Sequence, residues 1–492
     1  MCEMGKKKTG EKSVAVNLVA NGIKTLMSVL FPLITFPYAS RILGAEGIGK
    51  VNYASSIISY FSLAAALGIS TYAVREGARI RNDRQKFNQF AKEMLRINVL
   101  TTLITYIGFC IFLCLPILRA YKTLLVVFSL GIWFTTIGME WLFIIQEEYE
   151  YITKRAVLFQ FISFILLFVL VRNRADYIWY AALTVISSGG SAILNLWHSR
   201  KLVDWRQKCQ YSYRRHVKPI LLIFGTSVAS NIYMTMDTTM IGALQGDAAT
   251  GIYTAASKIN LVISTLIGTI SSTILPRVSY YIGNDLHDKY KELMKTSANI
   301  LFLIAMPAVV GMICTSDLLI LLFSGKEFIS GSLAAKILSV RVLVGAINRI
   351  FAYQICIPYK KEKDVLVSTI VGAVFNLIAN AMLIPVWGTT GASIATLCSE
   401  IVVFIVLTFY SKKFFDTWQL YRRLPVYLVT SVWFVLVRIV MNIFIDNALI
   451  KLIVVVCICS IGYFGILLLM RDTCVLEGIK MIKHKILKRK EK

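Results

Sequence analysis

Residues 233–269 read YMTMDTTMIGALQGDAATGIYTAASKINLVISTLIGT, and the fold prediction starts from them. It predicts two apolar helices joined by a glycine-rich turn between Gly242 and Gly251, with the carboxylate of Asp237 on one helix and the amine of Lys258 on the other. Each lies about ten residues from the middle of the turn, so at roughly 1.5 Å per residue we expect similar depth and an ion pair. A charge inside a membrane helix is costly and indicates function, although a purely structural pair remains the alternative.

The composition is that of a polytopic membrane protein. Of the 492 residues, 57% are hydrophobic and only 16% are charged, whereas a soluble domain carries about a quarter charged residues. Apolar runs long enough to span a membrane recur along the chain, and we count about fourteen of them. We therefore predict an all-α integral membrane protein. No cleaved signal peptide is expected, because the basic start leads into a full-length apolar segment.

Lysine and arginine predict the orientation. The loops on one side of the predicted membrane, with both termini, hold 39 of the 53 basic residues, and the opposite loops hold seven. Positive loops stay on the cytoplasmic side, so both termini are expected in the cytoplasm. Topology thus explains the net charge of +26 and excludes nucleic acid as a partner. Membrane lipids are the expected surroundings, and the tail KMIKHKILKRKEK would be solvated or touch anionic headgroups.

An internal repeat divides the chain. ILGAEGIGKVNYASSI at 42–57 resembles IGALQGDAATGIYTAASKI at 241–259. The two segments are separated by six predicted helices, an even number that keeps the orientation and predicts a parallel repeat. We therefore predict two six-helix bundles, 1–210 and 211–412, joined through a linker at 201–218. Two extra helices and a basic cytoplasmic tail would follow at 413–492.

Polar residues at helical spacing mark helix faces that avoid lipid. Taken singly, such a face is explained equally well by helix–helix contact, which suits the glycine and asparagine pattern of 369–380 best. Taken together, the faces of both halves predict a water-filled cavity between the bundles. Cations dominate its charges, which are Lys24, Lys50, Lys258, Lys336, Arg341, Arg349 and Arg438 against Glu140, Asp237 and Glu400. An excess of lysine and arginine suits a phosphate or diphosphate.

We select candidate site residues from these faces. Lys50, Lys336 and Arg438 receive less weight, because side chains near the interface can extend to water. The expected substrate-binding cations are Lys24, Lys258, Arg341 and Arg349. The expected cavity acids, which would also serve ion coupling, are Glu140, Asp237 and Glu400. The expected polar lining consists of Asn21, Thr265, Asn348, Asn376 and Asn380.

The sequence predicts neither catalysis nor a cofactor. All four histidines fall in predicted cytoplasmic loops, and the ten cysteines form no C-x-x-C pair. No phosphate-binding loop of the ATPase type is found. We therefore expect no catalytic residues, no metal site and no disulfide.

Four segments resemble the bacterial polysaccharide repeat-unit flippases of the multidrug/oligosaccharidyl-lipid/polysaccharide exporter superfamily. They are ITFPYASRILGAEGIGKVNYASSII, GMEWLFIIQEEYEYITKR, YMTMDTTMIGALQGDAATGIYTAASKI and NRIFAYQICIPYKKEKDVLVSTIVGAVFNLIANAMLIPVWGTTGASIATLCSE. The resemblance implies two six-helix lobes in a V around a central cavity, plus two extra helices. It also implies transfer of undecaprenyl-diphosphate-linked oligosaccharides across the inner membrane for O-antigen, capsule or exopolysaccharide. One departure follows Trp141, where Phe143-Ile144-Ile145-Gln146 replaces the Gln-Gly pair common in the family.

We predict a flippase that works by alternating access, coupled to protons or sodium ions, with a polysaccharide polymerase and glycosyltransferases as candidate partners. A cation-coupled multidrug antiporter of the same superfamily is the main alternative, although its cavity is expected to be acidic. A non-transporting envelope scaffold is a further alternative. A membrane glycosyltransferase is disfavoured, because the chain has no large loop or soluble domain.

Overall fold

A computed structural model describes residues 14–477, 479 and 480, which form helices and turns with no strand among them. The predicted all-α class is confirmed. Residues 1–13 and 481–492, which contributed to the predicted topology, lie outside the described residues. The helices are α1 Val14–Ala66, α2 Ile69–Ile80, α3 Arg84–Leu113, α4 Lys122–Gly138, α5 Glu140–Ile145, α6 Tyr149–Leu170, α7 Tyr177–Gly189, α8 Ala192–Leu202, α9 Arg214–Gln245, α10 Asp247–Gly283, α11 His287–Phe323, α12 Ser332–Ile350, α13 Glu362–Ser411, α14 Leu424–Phe444 and α15 Ala448–Leu469.

The helices are long and apolar enough to cross a membrane many times. Over the described residues, twelve helical stretches meet this criterion. Two of them, Val19–Ile80 with 62 residues and Glu362–Ser411 with 50, greatly exceed the roughly 20 residues of a single crossing. The chain is therefore a multi-pass membrane protein, and the count of about fourteen spans stays a prediction.

Glycines with positive φ interrupt the longest helical stretches. Gly44 within α1 has φ 69° and ψ −179°, and Gly246 between α9 and α10 has φ 84° and ψ −173°. This combination is essentially restricted to glycine, because a Cβ atom would clash with the backbone. The two glycines stand at equivalent places in the predicted repeat and share one conformation. Gly388 interrupts α13 with φ 52°.

The chain divides into two compact units between Asn231 and Ile232. The first unit contains α1 to α8 and the start of α9, and the second contains the rest. In each unit a long helix is followed by a six-residue 3-10 turn and another helix. The turns are Pro116–Tyr121, between α3 and α4, and Lys326–Gly331, between α11 and α12. This order fits the repeat, and the three-part division at 210 and 412 stays a prediction.

Each unit has its own buried apolar core. Aromatic side chains such as Phe87 and Phe143 fill the first unit, and Phe302, Phe351 and Tyr463 fill the second. Many large apolar side chains remain exposed along the helices. In a membrane protein such side chains face lipid tails, which are as apolar as the core.

The segment between α8 and α9 is fastened to α3 within the first unit. Residues 203–213 form no helix and lie inside the predicted linker at 201–218. Asn88 donates a hydrogen bond to Gln207 at 2.7 Å, and Gln89 donates one to the carbonyl of Gln210 at 2.6 Å. The fully buried carboxylate of Glu93 accepts from the backbone N–H of Ser212 at 2.7 Å. One polar face of α3 therefore holds the linker.

Candidate functional site

In the first unit, Glu140 joins two cations from different helices. Lys24 of α1 donates to Glu140 Oε1, and Arg155 of α6 lies 3.6 Å from Oε2. Glu140 follows Met139, whose left-handed backbone (φ 40°) ends α4 and starts α5. The Glu140 side chain is 43% exposed, whereas Arg155 is 6% exposed. The cluster thus has a buried cation behind a carboxylate that solvent reaches.

A small polar cavity of about 350 Å³ adjoins this cluster. Arg155 donates to the hydroxyl of Ser191, and Asn195 donates to the carbonyl of Gly138 at 2.6 Å. The Nε of Arg155 is buried and has no hydrogen-bond partner among the described residues. This corner of the first unit therefore offers hydrogen-bonding capacity that its own side chains do not use.

In the second unit, Asp237 of α9 is buried among neutral donors. Tyr253 of α10 donates to Oδ2 at 2.5 Å, and Thr396 of α13 donates to the same oxygen. Asn380 and Asn376, both of α13, donate to Oδ1 at 2.7 Å and 3.3 Å. Such hydrogen bonds stabilise a carboxylate without neutralising its charge.

The predicted ion pair between Asp237 and Lys258 is wrong. Asp237 accepts its hydrogen bonds from four neutral side chains, and the one that α10 contributes is Tyr253 and not Lys258. Lys258 follows Tyr253 by five residues of helix, a rotation of roughly 140° about the axis of α10. Equal depth along two helices therefore did not bring the groups onto facing sides. Lys258 is half-buried and stays a candidate cation.

The Asp237 pocket has the chemistry of a site for a hard cation or a proton. Its oxygens belong to a carboxylate, two hydroxyls and two side-chain amides, and hard monovalent and divalent cations prefer oxygen ligands. Asn380 Oδ1 is buried without a hydrogen-bond partner among the described residues, so at least one acceptor is unused. The described residues contain no group of three His, Cys, Asp or Glu side chains that would bind a metal ion. The pocket therefore offers oxygen ligands and one unused acceptor to a cation.

Arg341, Asn348 and Glu400 form a second polar group in this unit. Arg341 of α12 lies 3.0 Å from Glu400 Oε1. Asn348 donates to Glu400 Oε2 at 2.8 Å and to the Glu400 carbonyl at 3.0 Å. Arg341 also interacts electrostatically with Asp237, so two carboxylates act on one guanidinium. Arg341 and Asn348, chosen from one helix face, are thus brought together with Glu400, chosen from another.

Arg349 donates its hydrogen bonds to neutral groups, and Arg341 and Glu400 act on it electrostatically. Its Nη1 donates to the carbonyl of Ser264 at 2.8 Å, and its Nη2 lies 3.3 Å from the Ser264 hydroxyl. No carboxylate lies within ion-pair distance of Arg349 among the described residues. Gly268 makes the geometry feasible, because a Cβ there would lie 1.9 Å from Nη1. The π-helical segment Phe351–Cys356 begins two residues later, and such segments are frequent at functional sites.

The remaining candidates lie apart from these groups. Thr265 donates to the carbonyl of Leu261 in its own helix at 2.8 Å, and Asn21 is exposed on α1. Of the cations given less weight, Lys50 pairs with Glu46 at 2.7 Å and Arg438 pairs with Asp317 at 2.6 Å. These two are therefore neutralised within their units.

Sequence reasoning missed several members of these groups. Arg155 was assigned to a cytoplasmic loop, although Glu140 fifteen residues earlier could have suggested a partner. Nothing in the sequence marks Tyr253 as a site residue, because a tyrosine in an apolar helix is common. Asp317 stood in an apolar run of α11 and should have been counted among the in-span acids. Thr396 stands four residues before Glu400 in the same helix and is not among the selected candidates.

Comparison with known families places this chain clearly. The family model described as "Polysaccharide biosynthesis protein" matches residues 12–281, more than half of the chain, and the MatE model matches residues 223–382. A protein of Shigella dysenteriae named "Putative O-antigen transporter" is 24% identical over 390 residues, 77% of this chain and 95% of that protein. An Escherichia coli protein of the same name is 21% identical over 401 residues, 80% of this chain and 96% of that protein.

Solved structures share the fold at low sequence identity. The structure titled "Lipid II flippase MurJ, inward closed conformation" has a TM-score of 0.74 at 15% identity, covering 93% of this chain and 99% of that one. An inward-facing multidrug resistance MATE family transporter of the MOP superfamily has a TM-score of 0.62 at 16% identity, covering 81% and 97%. From the sequence match and this shared helical fold we conclude that the chain belongs to the polysaccharide biosynthesis protein family, in the superfamily that the resemblance predicted.

Proposed function

We propose that this protein is a flippase that moves undecaprenyl-diphosphate-linked oligosaccharide repeat units from the cytoplasmic to the outer leaflet of a bacterial inner membrane. Two relatives are named as O-antigen transporters, and a lipid II flippase shares the fold. The protein would supply surface polysaccharide synthesis by transport and not by catalysis. Glycosyltransferases that make the unit and a polymerase that consumes it would be its partners.

The observation that carries this proposal is that Arg349 forms no ion pair among the described residues, although Glu400 acts on it electrostatically from a longer distance. A guanidinium inside a membrane helix is costly unless it has a partner or a role, and this one bonds only to neutral Ser264. Arg341, eight residues earlier on the same helix, is 31% exposed and forms an ion pair with Glu400. Guanidinium groups bind phosphate oxygens in a bidentate manner. Arg349 and Arg341 would therefore hold the diphosphate of the substrate.

In this proposal the first unit would contribute Lys24, Glu140 and Arg155 to the path of the substrate, and Lys258 would add a further cation. The division at 210 and 412 and the cytoplasmic termini are parts of the same proposal. Alternating access would expose the site to one leaflet and then the other.

Asp237 would couple transport to an ion gradient. A buried carboxylate with neutral donors and a spare amide oxygen would take up a sodium ion or a proton on one side of the membrane and release it on the other. Because Arg341 interacts electrostatically with both Glu400 and Asp237, a cation at Asp237 would repel Arg341. Ion binding and diphosphate binding would then influence each other through one guanidinium.

The test is complementation of a strain that lacks its own flippase, with surface polysaccharide as the measured quantity. Arg349→Ala removes a charged hydrogen-bond donor worth about 1.5–3 kcal/mol, so the rate should fall roughly tenfold to a hundredfold. Lys50→Ala is the matched control, because Lys50 is also a half-buried membrane cation but pairs with Glu46. Full polysaccharide with normally expressed Arg349→Ala would rule out the diphosphate role.

The MatE match at residues 223–382 favours a second candidate, a multidrug antiporter. Such a protein would lower the accumulation of a cationic dye in cells that lack other efflux pumps. Dye efflux without any restoration of surface polysaccharide would favour the antiporter over the flippase.

A further inference from the structure

A cavity in the second unit opens where three membrane helices reach the same end. It has a volume of about 1340 Å³ and lies between the start of α11, the turn before α13 and the residues that follow α13. By the predicted topology this end faces the cytoplasm. The cavity shares no residue with the Asp237 pocket or with the Arg341 and Arg349 groups, and the proposed transport does not use it.

The rim of the cavity is cationic. His287 and Lys291 come from α11, and Lys412 and Lys413 follow the end of α13, against the single acid Asp416. None of the three lysines lies within ion-pair distance of a carboxylate in the described part of the chain. Lys412 lies over the ring of Phe409, 4.8 Å from its centroid, which fixes its stem. Three lysine charges therefore line one space, and Asp416 is the single carboxylate among the residues that line it.

The floor of the cavity is aromatic and rigid. Tyr359 and Phe414 stack with their ring centroids 4.6 Å apart, and Tyr290 packs edge-on against Tyr359 and Phe415. Tyr290 is buried, and its hydroxyl donates to the carbonyl of Gln354 at 3.2 Å. These contacts hold the floor in place beneath the lysines. The floor offers an apolar surface to whatever chain or glycerol accompanies the anion.

Trp418 indicates the depth of the cavity relative to the membrane. Its side chain is 82% exposed at the mouth, next to the lysines. Exposed tryptophan is enriched at the membrane–water interface, where its ring lies among lipid headgroups. A basic pocket between membrane helices at this level has the character of a headgroup site.

We propose that this cavity binds the phosphate of an anionic phospholipid from the surrounding leaflet, with Lys291, Lys412 and Lys413 as its ligands and the aromatic floor against the glycerol. The occupant is a lipid and not a free phosphate, because the mouth lies at headgroup depth and the floor is apolar. The proposal stands independently of the transported substrate.

The experiment measures thermal unfolding of the full chain in a neutral detergent. Dioleoylphosphatidylglycerol, dioleoylphosphatidylcholine and inorganic phosphate are titrated separately, because a ligand that binds the folded state raises Tm in a saturable manner. We expect saturable stabilisation by phosphatidylglycerol alone. In the Lys412→Gln/Lys413→Gln variant the half-saturating concentration should rise about thirtyfold, roughly fivefold for each lysine.

The matched control is Lys360→Gln/Lys361→Gln, which removes two exposed lysines at the same end of the unit but outside the cavity. This pair should leave the lipid titration unchanged, and Lys412→Arg/Lys413→Arg should retain binding. If the control pair weakened lipid binding to the same extent, the lysines would attract lipid as a diffuse charged surface and not as a defined site. Equal stabilisation by phosphatidylcholine or by inorganic phosphate would also overturn the proposal. Should the double variant fail to fold, Lys291→Gln carries the same test with an expected shift of about fivefold.

Discussion

Asp237 carries a charge that its neighbours stabilise but do not neutralise. In Asp237→Asn, the new amide would take the place of Oδ2, and the hydroxyls of Tyr253 and Thr396 would rotate to accept its protons. Folding should therefore be retained while ion uptake is lost. We expect transport to fall at least about tenfold, corresponding to roughly 1.4 kcal/mol of lost coupling free energy. The measurement is ion-dependent transport in proteoliposomes.

Asp317→Asn provides the contrasting control. Asp317 pairs with Arg438 at 2.6 Å and has no part in the Asp237 pocket. Its substitution should lower thermal stability and leave ion-dependent transport unchanged. If Asp237→Asn kept full ion dependence, the coupling role of Asp237 would be wrong.

Gly268 is a positioning residue for Arg349. Alanine at this position would place its Cβ 1.9 Å from Nη1, which forces the guanidinium away from Ser264. Gly268→Ala should therefore reduce polysaccharide export as much as Arg349→Ala does. The double variant should be no worse than either single one, because both remove the same interaction. Gly225→Ala is the control, because a Cβ there meets open space, and it should leave polysaccharide export unchanged. Additive losses of export in the Gly268→Ala/Arg349→Ala double variant would contradict the positioning role of Gly268.

The sequence predicted single residues better than their partners. Asp237, Arg341, Asn348, Asn376, Asn380 and Glu400 were all chosen for standing in apolar helices, and the structure gathers them into two polar groups in one unit. Which residues meet depends on helix rotation and on contacts over more than a hundred positions, as between Asp237 and Asn380. A periodic pattern within one helix carries no information about either.

At the scale of elements, α3 determines where the linker lies. Glu93→Ala would leave the Ser212 N–H without its acceptor and the buried His216 ring without its Glu93 partner. Unsatisfied buried groups cost about 1–3 kcal/mol each, so the linker should detach from α3. We expect faster proteolysis within residues 203–213 and a lower Tm in detergent.

The control for this prediction is Glu150→Ala. Glu150 is 57% exposed and pairs with Lys154 one turn away, an interaction worth about 0.3–0.5 kcal/mol. It should change neither the cleavage rate nor the Tm. Unchanged cleavage in Glu93→Ala would show that other contacts hold the linker, namely Lys92, which donates to the carbonyl of Gln207, and the side-chain amides of Asn88 and Gln89.

Helices and their repeat were accessible to sequence reasoning because their signals are local. Apolar runs predicted the helices, and the motif around Gly44 and Gly246 predicted the internal repeat. The π-helical segment Phe351–Cys356 was not predicted, since an extra residue in a helical turn depends on packing and leaves no periodic trace.

The membrane topology of the whole molecule can be measured by labelling single cysteines on loops of opposite predicted sides. In a background without native cysteines, Lys326→Cys should react with a membrane-impermeant maleimide in intact cells. Lys361→Cys should react only after permeabilisation, because its loop belongs to the positively charged set. The reverse pattern would place the lysine-rich cavity on the outside and would invert the direction of the proposed transport.

The fold class follows from composition and charge, whereas the placement of the site does not. Hydrophobic runs and the uneven distribution of lysine and arginine predict the membrane helices and their orientation, because the bilayer imposes the same constraints on every helix. The cavity with the lysine rim combines Lys291 of α11, Tyr359 of the turn before α13 and Lys412 after α13. Nothing in the sequence spacing of these three segments indicates that they share one space.

The glycine turns have a consequence for genetics. Gly246 has open space around its α-carbon, so alanine would be tolerated there on size alone, yet its φ of 84° excludes a side chain. Every missense change at Gly44 or Gly246 adds a Cβ. Substitution by a small residue such as alanine should therefore be as harmful at these two positions as substitution by a large one. In a saturation library selected for surface polysaccharide, both positions should retain only glycine, while the equally uncrowded Gly225 accepts alanine and serine.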